Sequence, residues 1–282
     1  MGKLIAITGK GGVGKTTISS LLVKCLINAG KGPVLAIDAD PNSCLDAALG
    51  VEVTSTVGRA REEVREEVSS SPGAGINAGT NIGANAGGAS TGSSSAGISR
   101  GSGLGATGGL SKQEMLSIKL EESLVESAGF DLIAMGRPEG AGCYCYANNV
   151  LKSIIADISS KYPYVILDNE AGLENLSRRI VQKVDTMVLV SDASNAGLQT
   201  LVRLYELAQE MKMQYSRLVL VINRLRSGKL PDKVNEIKEK TKADCVIGVP
   251  DDAEIAQFAE ESRSFLEVSE NNSVLAAIAG II

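Results

Sequence analysis

The 282-residue chain contains no histidine. That absence removes Ser-His and Cys-His nucleophile pairs and every imidazole metal ligand at once. Any metal must be held by cysteine or carboxylate, and any hydrolysis must rest on positioned groups and charge. A cationic face is missing too. The net charge is −5 and the basic residues are dispersed, whereas duplex binding needs them concentrated, so nucleic acid is not an expected partner. No apolar run is long enough to span a bilayer. No leader is expected, because Met1-Gly2-Lys3 runs straight into an apolar segment. Residues 273–282 are uncharged and apolar, but they bring no lysine or arginine to anionic lipid and are expected to dock on the core. No membrane partner is expected, and the expected location is the cytoplasm.

What the chain does have is apolar material, 44% of its residues, enough for one α/β domain with a buried sheet. Short Val/Ile/Leu-rich runs at 3–8, 33–38, 130–135, 164–168, 186–191, 218–222 and 245–249 alternate with helix-like segments such as 197–211 and 232–240. That rhythm predicts a mostly parallel, twisted sheet of about seven strands with helices on both faces. In such sheets ligands bind at the carboxyl ends of the strands. Residues 69–110 break the rhythm: the stretch is rich in Gly, Ala, Ser and Asn, and from 72 to 110 its only charge is Arg100. So little apolar area does not offset ordering entropy, so it reads as a flexible insertion in the single domain 1–282. A tethered arm is one role for it and a tolerated surface loop the plainer one. Charged helices are expected at 59–68 and 112–126 on either side.

The densest signal is Gly9-Lys10-Gly11-Gly12-Val13-Gly14-Lys15-Thr16-Thr17, which follows the first apolar run and opens a helix-like one at Ile18. Without Cβ atoms the backbone can wrap an anion and aim its N–H groups at it, at a helix end that is already partly positive. Lys15 would neutralise the β- and γ-phosphates of a nucleotide, and the Thr16 hydroxyl would ligate Mg²⁺. A second cation, Lys10, would be repelled by Lys15 unless something strongly anionic lay between them.

Other polar clusters end predicted strands. Asp38-Ala39-Asp40-Pro41-Asn42 places carboxylates where they can orient a water near Mg²⁺, although an aspartate there can equally be a turn or cap residue. Val165-Ile166-Leu167-Asp168-Asn169-Glu170-Ala171-Gly172 has the form of a Walker B strand running into a switch. Asp168 would hold Mg²⁺, usually through a water, and Gly172 leaves its amide free to approach the γ-phosphate. Asn223-Arg224 and Pro250-Asp251-Asp252 end the sixth and seventh strands.

Five cysteines occur. Cys25 and Cys245 lie in apolar contexts and read as small buried hydrophobes, and Cys44 has no partner in sequence. Cys143 and Cys145 are different. At i and i+2 of extended chain both thiols face one spot, and two thiolates are half of a four-coordinate site that a second subunit across a two-fold would complete. Tetrahedral geometry would suit Zn²⁺ and square-planar Ni²⁺; redox or structural roles for the pair stay open.

The K-G-G-x-G-K-T loop resembles that of the MinD/ParA/nitrogenase-iron-protein group of ATPases. The resemblance implies that Lys10 reaches across a homodimer to the partner's nucleotide. It also implies that Asp40 handles the attacking water, and that Asn223 with Arg224 and the loop at Pro250 and Asp252 frames the adenine. Within the group the chain resembles the CooC-type nickel-insertion ATPases that mature carbon monoxide dehydrogenase. The residues concerned are Met135-Gly136-Arg137-Pro138-Glu139-Gly140, Gly142-Cys143-Tyr144-Cys145-Tyr146-Ala147-Asn148-Asn149, Asp168-Asn169-Glu170-Ala171-Gly172 and Leu176-Ser177-Arg178-Arg179. The resemblance covers the chain except 69–110. It implies an ATP-hydrolysing metallochaperone that uses ATP, Mg²⁺ and Ni²⁺ or Zn²⁺, with carbon monoxide dehydrogenase as client. Two alternatives come from the same group. One is a reductase with a bridging iron–sulfur cluster, whose ligand cysteines would come from two separate segments. The other is a positioning ATPase, which needs a basic tail or a DNA-binding face.

Overall fold

The computed structural model describes residues 2–42, 44–70, 112–136, 152, 160–172 and 183–282. Within them lies an eight-stranded sheet built from β1 (Lys3–Gly9), β2 (Val34–Asp38), β3 (Val125–Ser127), β4 (Phe130–Ala134), β5 (Tyr164–Asp168), β6 (Lys183–Asp192), β7 (Gln214–Leu225) and β8 (Cys245–Pro250). The spatial order is β3-β4-β2-β5-β1-β6-β7-β8, and all neighbours are parallel except the β3–β4 pair. The described helices are α1 (Lys15–Asn28), α2 (Leu45–Leu49), α3 (Val57–Ser70), α4 (Lys112–Glu122), α5 (Asn195–Glu210), α6 (Lys233–Thr241), α7 (Ala253–Glu260) and α8 (Ser273–Ile278).

The two-residue period of the strands divides the core into two layers. Leu4 and Ala6 of β1 and Leu218, Leu220 and Ile222 of β7 pack with Leu198, Leu201, Leu204 and Val234 of α5 and α6. Ile5, Ile7, Val219 and Val221 point the other way, into Ile18, Leu21, Leu22 and Leu26 of α1 and into Phe258, Val274 and Ile278. With both faces covered, the central strands have no solvent side, which is why they read as continuous apolar runs.

The seven expected strands are present, and β3 is an eighth. Its first two residues, Val125 and Glu126, fall in the stretch expected to continue α4. That helix stops at Glu122, where the Ser123 hydroxyl donates to the Leu120 carbonyl at 2.8 Å. Gly129, at φ +87, then turns the chain so that Ser127 pairs with Phe130. At its other end α3 runs to Ser70, past the expected limit at 68. Lys119 of α4 and Glu63 of α3 join these two helices at 3.4 Å. The proposed insertion between them lies outside the described residues apart from its first two positions.

The apolar residues 273–282 fold back on the sheet, as expected. Val274, Leu275, Ile278 and Ile281 are buried, and Arg217 of β7 donates to the carbonyls of Gly280 and Ile281, both at 2.9 Å. Among the described residues no helix is long and apolar enough to cross a membrane.

Chain order reverses beside β1: β2 and β5 lie on one side of it, and β6, β7 and β8 on the other. The crevice at such a reversal, above the carboxyl ends of the strands, is where a sheet of this kind takes a ligand.

Candidate nucleotide site

The loop after β1 fills that crevice. Gly12 and Gly14 adopt φ +77 and +92, which residues with a Cβ rarely reach. Gly14 is the N-cap of α1 and supplies no side-chain hydrogen bond to it, and the first turn carries no acid. The leading N–H groups of α1 thus have no side-chain cap, the arrangement that receives an anion. Val13 is anchored in the core, 3% exposed, which holds the loop's far side in place. Lys15 is also nearly buried; its Nζ donates to the Lys10 carbonyl at 3.3 Å, which folds the lysine over the loop. The side chain of Lys10 is exposed. Thr17 lies on the cleft side of α1.

Thr16 and Asp168 meet, the hydroxyl donating to Oδ2 at 2.7 Å. Asp168 Oδ1 and the Ser19 hydroxyl are buried beside one another with no hydrogen bond of good geometry among the described residues, although the Ser19 hydroxyl is near enough to lower the Asp168 carboxyl. Burial pushes the Asp168 carboxyl up to about 7; the Thr16 hydrogen bond lowers it and the charge of Asp38 raises it further. Asp38, its register partner on β2, is pushed up to about 6, again chiefly by burial. Two buried carboxyls, an orphaned oxygen and an alcohol suit a hard divalent cation, which would favour both carboxyls ionised. Mg²⁺ therefore fits, with Thr16 and Asp168 as the residues that would hold it beside the phosphates.

The aspartates at the end of β2 and just beyond it divide the roles left open in the sequence. Asp38 is the staple: its Oδ1 accepts from the Asp40 N–H at 3.0 Å, and its Oδ2 from the N–H groups of Cys44 and Leu45, both at 2.9 Å. Asp40 closes a turn, accepting from the Asn42 N–H at 2.9 Å and the Asn42 side-chain amide at 3.1 Å.

Gly172 corrects an expectation. Its amide is not free; it donates to the Gly9 carbonyl at 2.9 Å, while its own carbonyl accepts from the Thr8 hydroxyl. Gly172, at φ +88, is thus latched onto β1, and a phosphate would have to displace Gly9 to gain that amide. Asn169 makes a second latch that the sequence did not disclose. Both its backbone N–H and its side-chain amide donate to the Ile7 carbonyl, at 3.1 and 3.0 Å.

A cleft of about 390 Å³ continues from the loop, lined by Gly14, Thr17, Asn223, Arg224, Pro250 and Asp252, among others. The residues expected to frame a base are therefore together, next to the phosphate loop. Two of them have additional duties. Asn223 donates through Nδ2 to the Val13 carbonyl at 2.8 Å. The Asp252 carboxylate is taken up structurally: Oδ1 caps α7 through the Ile255 N–H at 3.1 Å and accepts from Asn272 at 3.1 Å, and Oδ2 accepts from Ser273 at 3.3 Å. Asp252 therefore ties the C-terminal segment to the cleft wall. Arg224 takes φ +57 at the lip.

Cys143 and Cys145 lie outside the described residues. The last described residue before them is Gly136, just past β4, where the Met135 N–H donates to the Asp38 carbonyl at 2.9 Å. The other cysteines are free, and Cys25 and Cys245 are only partly buried, less than the sequence suggested. Cys25 is pushed up to about 11 by burial, and Cys245 packs against the same layer. Cys44 is exposed overall, and its thiol is raised by the partial desolvation it does experience and then by the charges of Asp38, Asp40 and Asp46.

The profile of the CobQ/CobB/MinD/ParA nucleotide binding domain matches residues 4–265. The chain belongs to that family. An uncharacterized ATP-binding protein of Methanocaldococcus jannaschii is 34% identical over 271 residues, covering 96% of this chain and 93% of that one. The carbon monoxide dehydrogenase accessory protein CooC of Rhodospirillum rubrum is 28% identical over 223 residues, covering 73% of this chain and 69% of its own. Among solved structures, the cell division ATPase MinD of Pyrococcus furiosus superposes with a TM-score of 0.62 at 16% identity, over 100% of this chain and 97% of that one. The family is one of P-loop ATP-binding proteins, in keeping with the Thr16–Asp168 pair and the uncapped start of α1.

Proposed function

We propose that the protein is an ATP-hydrolysing metallochaperone that closes into a homodimer on binding MgATP and a soft divalent metal, and that serves the maturation of a nickel enzyme of the carbon monoxide dehydrogenase kind. The observation that carries the ATPase half is Asp168: a buried, raised carboxyl with one orphaned oxygen, bonded to the P-loop threonine. Lys15 would draw charge from the phosphates, and Asp40 would orient the attacking water. Mg²⁺, when bound, would neutralise phosphate charge. The latch from Gly172 to Gly9 is the element whose release would register the γ-phosphate.

Support for the metal half comes from Cys143-Tyr144-Cys145 in the sequence and from similarity to CooC, whose name ties it to carbon monoxide dehydrogenase. In a homodimer joined through Lys10, two such pairs would make one Cys₄ site. The test is metal content together with molar mass, for wild type and Cys143→Ser, with and without MgATP. We expect one tightly bound Ni²⁺ or Zn²⁺ per wild-type dimer. Cys143→Ser should lose it while keeping nucleotide affinity, since serine is far harder to deprotonate. One metal per monomer, or unchanged stoichiometry in the variant, would overturn the shared site, and iron with sulfide would turn the reading to the reductase.

A further inference from the structure

Asn223 stands at the carboxyl end of β7 in the wall of the base cleft, 7% exposed. Its amide nitrogen nevertheless donates into the phosphate loop, to the Val13 carbonyl 210 positions away. Gly14 accommodates that approach: a Cβ there would lie 2.5 Å from Asn223 Nδ2 and push the amide aside, and the φ of +92 itself calls for glycine.

The direction of this bond has a consequence for the anion. In a trans peptide the carbonyl of one residue and the N–H of the next point to opposite sides. Holding the Val13 carbonyl toward β7 therefore turns the Gly14 N–H away from β7. The Val13 side chain, buried in the core, keeps that residue from swinging back. Asn223 also lines the base cleft, beside Arg224 and Pro250, so the side chain that holds the loop is itself part of the cleft wall.

Building on the reading of this cleft and loop as a nucleotide site, we propose that Asn223 is a positioning residue for the phosphates: it sets the Val13–Gly14 peptide from inside the base cleft. One side chain then couples what occupies the cleft to the geometry of the loop that holds the triphosphate.

Magnesium tripolyphosphate, which has phosphates and no base, separates this role from base recognition. Its binding to wild type and to Asn223→Ala is measured by titration calorimetry, with MgATP in parallel, kcat at saturating ATP, and thermal unfolding without ligand. Loss of one hydrogen bond that orients the loop should weaken tripolyphosphate binding about fivefold. ATP should weaken at least as much, and kcat at saturation should fall several-fold, with the unfolding temperature little changed. Should the alanine variant fold poorly, Asn223→Leu keeps the branched shape without the donor and is expected to give the same losses. Unchanged tripolyphosphate affinity and unchanged saturating kcat, with only the ATP KM raised, would overturn the proposal and leave Asn223 as a base contact. Losses of activity that follow thermal instability while tripolyphosphate affinity is retained would likewise overturn it, making the bond a mere staple. A wild type that bound neither probe would defeat the nucleotide site itself, a different failure.

Discussion

Replacing Asp168 with asparagine should stabilise the protein at alkaline pH while disabling it. In the fold the carboxyl keeps its proton to about pH 7, whereas in the unfolded chain it ionises near its ordinary value of 3.8. Between those values unfolding releases a proton, so stability is fullest below the unfolded value and is lost as pH rises through the folded one. One unit of difference corresponds to about 1.4 kcal/mol, so the rise from 3.8 to about 7 caps the cost of ionisation near 4 kcal/mol. About half of that, roughly 2 kcal/mol, should be lost between about pH 5.5 and pH 8, and Asp38, raised to about 6, adds a smaller loss in the same direction. Because the chain has no histidine, little else titrates in that window. Urea unfolding of the nucleotide-free protein at the two pH values is the assay. With a slope of about 2 kcal/mol per molar, the wild-type midpoint should fall by about 1 M from the lower pH to the higher. Asp168→Asn should show less than half of that shift and exceed the wild type in midpoint at the higher pH, because its amide oxygen can still accept from Thr16 without carrying charge. Saturating MgATP should stabilise the wild type strongly at the higher pH and the variant much less. A wild-type midpoint flat with pH, or an asparagine variant weaker than wild type at the higher pH, would refute the reasoning.

Three further outcomes are expected. Lys10→Ala should retain MgATP binding but fail to form an ATP-dependent dimer in light scattering; a fully active dimer would reduce Lys10 to a solvated charge. Asp40→Asn should bind MgATP with near wild-type affinity and hydrolyse it at least tenfold more slowly, about 1.4 kcal/mol in the barrier, and an unchanged kcat would move the water-positioning role elsewhere. Deleting residues 72–109 and closing the gap with a short flexible linker should leave thermal stability and ATPase activity nearly intact, since closure entropy varies slowly with loop length. Loss of folding in the shortened chain would place ordered structure in the segment.

The local steps of this protein can be read along the chain because they depend on near neighbours. Glycines at 12 and 14 announce backbone angles that other residues avoid, and the lysines and threonines beside them announce an anion. Runs such as Val219–Val221 announce strands with no wet face, because burial on both sides removes the need for polar residues. The eighth strand was less visible: Val125–Ser127 is three residues long and half exposed, and only its pairing with Phe130–Ala134 makes it a strand.

What tertiary structure decided were contacts between residues far apart in sequence. Asp38 and Asp168 each look like an acid at a strand end, and only the placement of β2 beside β5 makes them buried neighbours whose charges oppose one another. Asn223 reads as a turn residue or a base contact until β7 sets it against Val13. Asp252 reads as a cleft residue until Asn272 and Ser273 arrive to occupy its carboxylate. Local sequence specifies which groups are present and how the backbone bends beside them. The order of strands in the sheet specifies which of those groups share a dry space, and desolvation there sets their protonation and their partners.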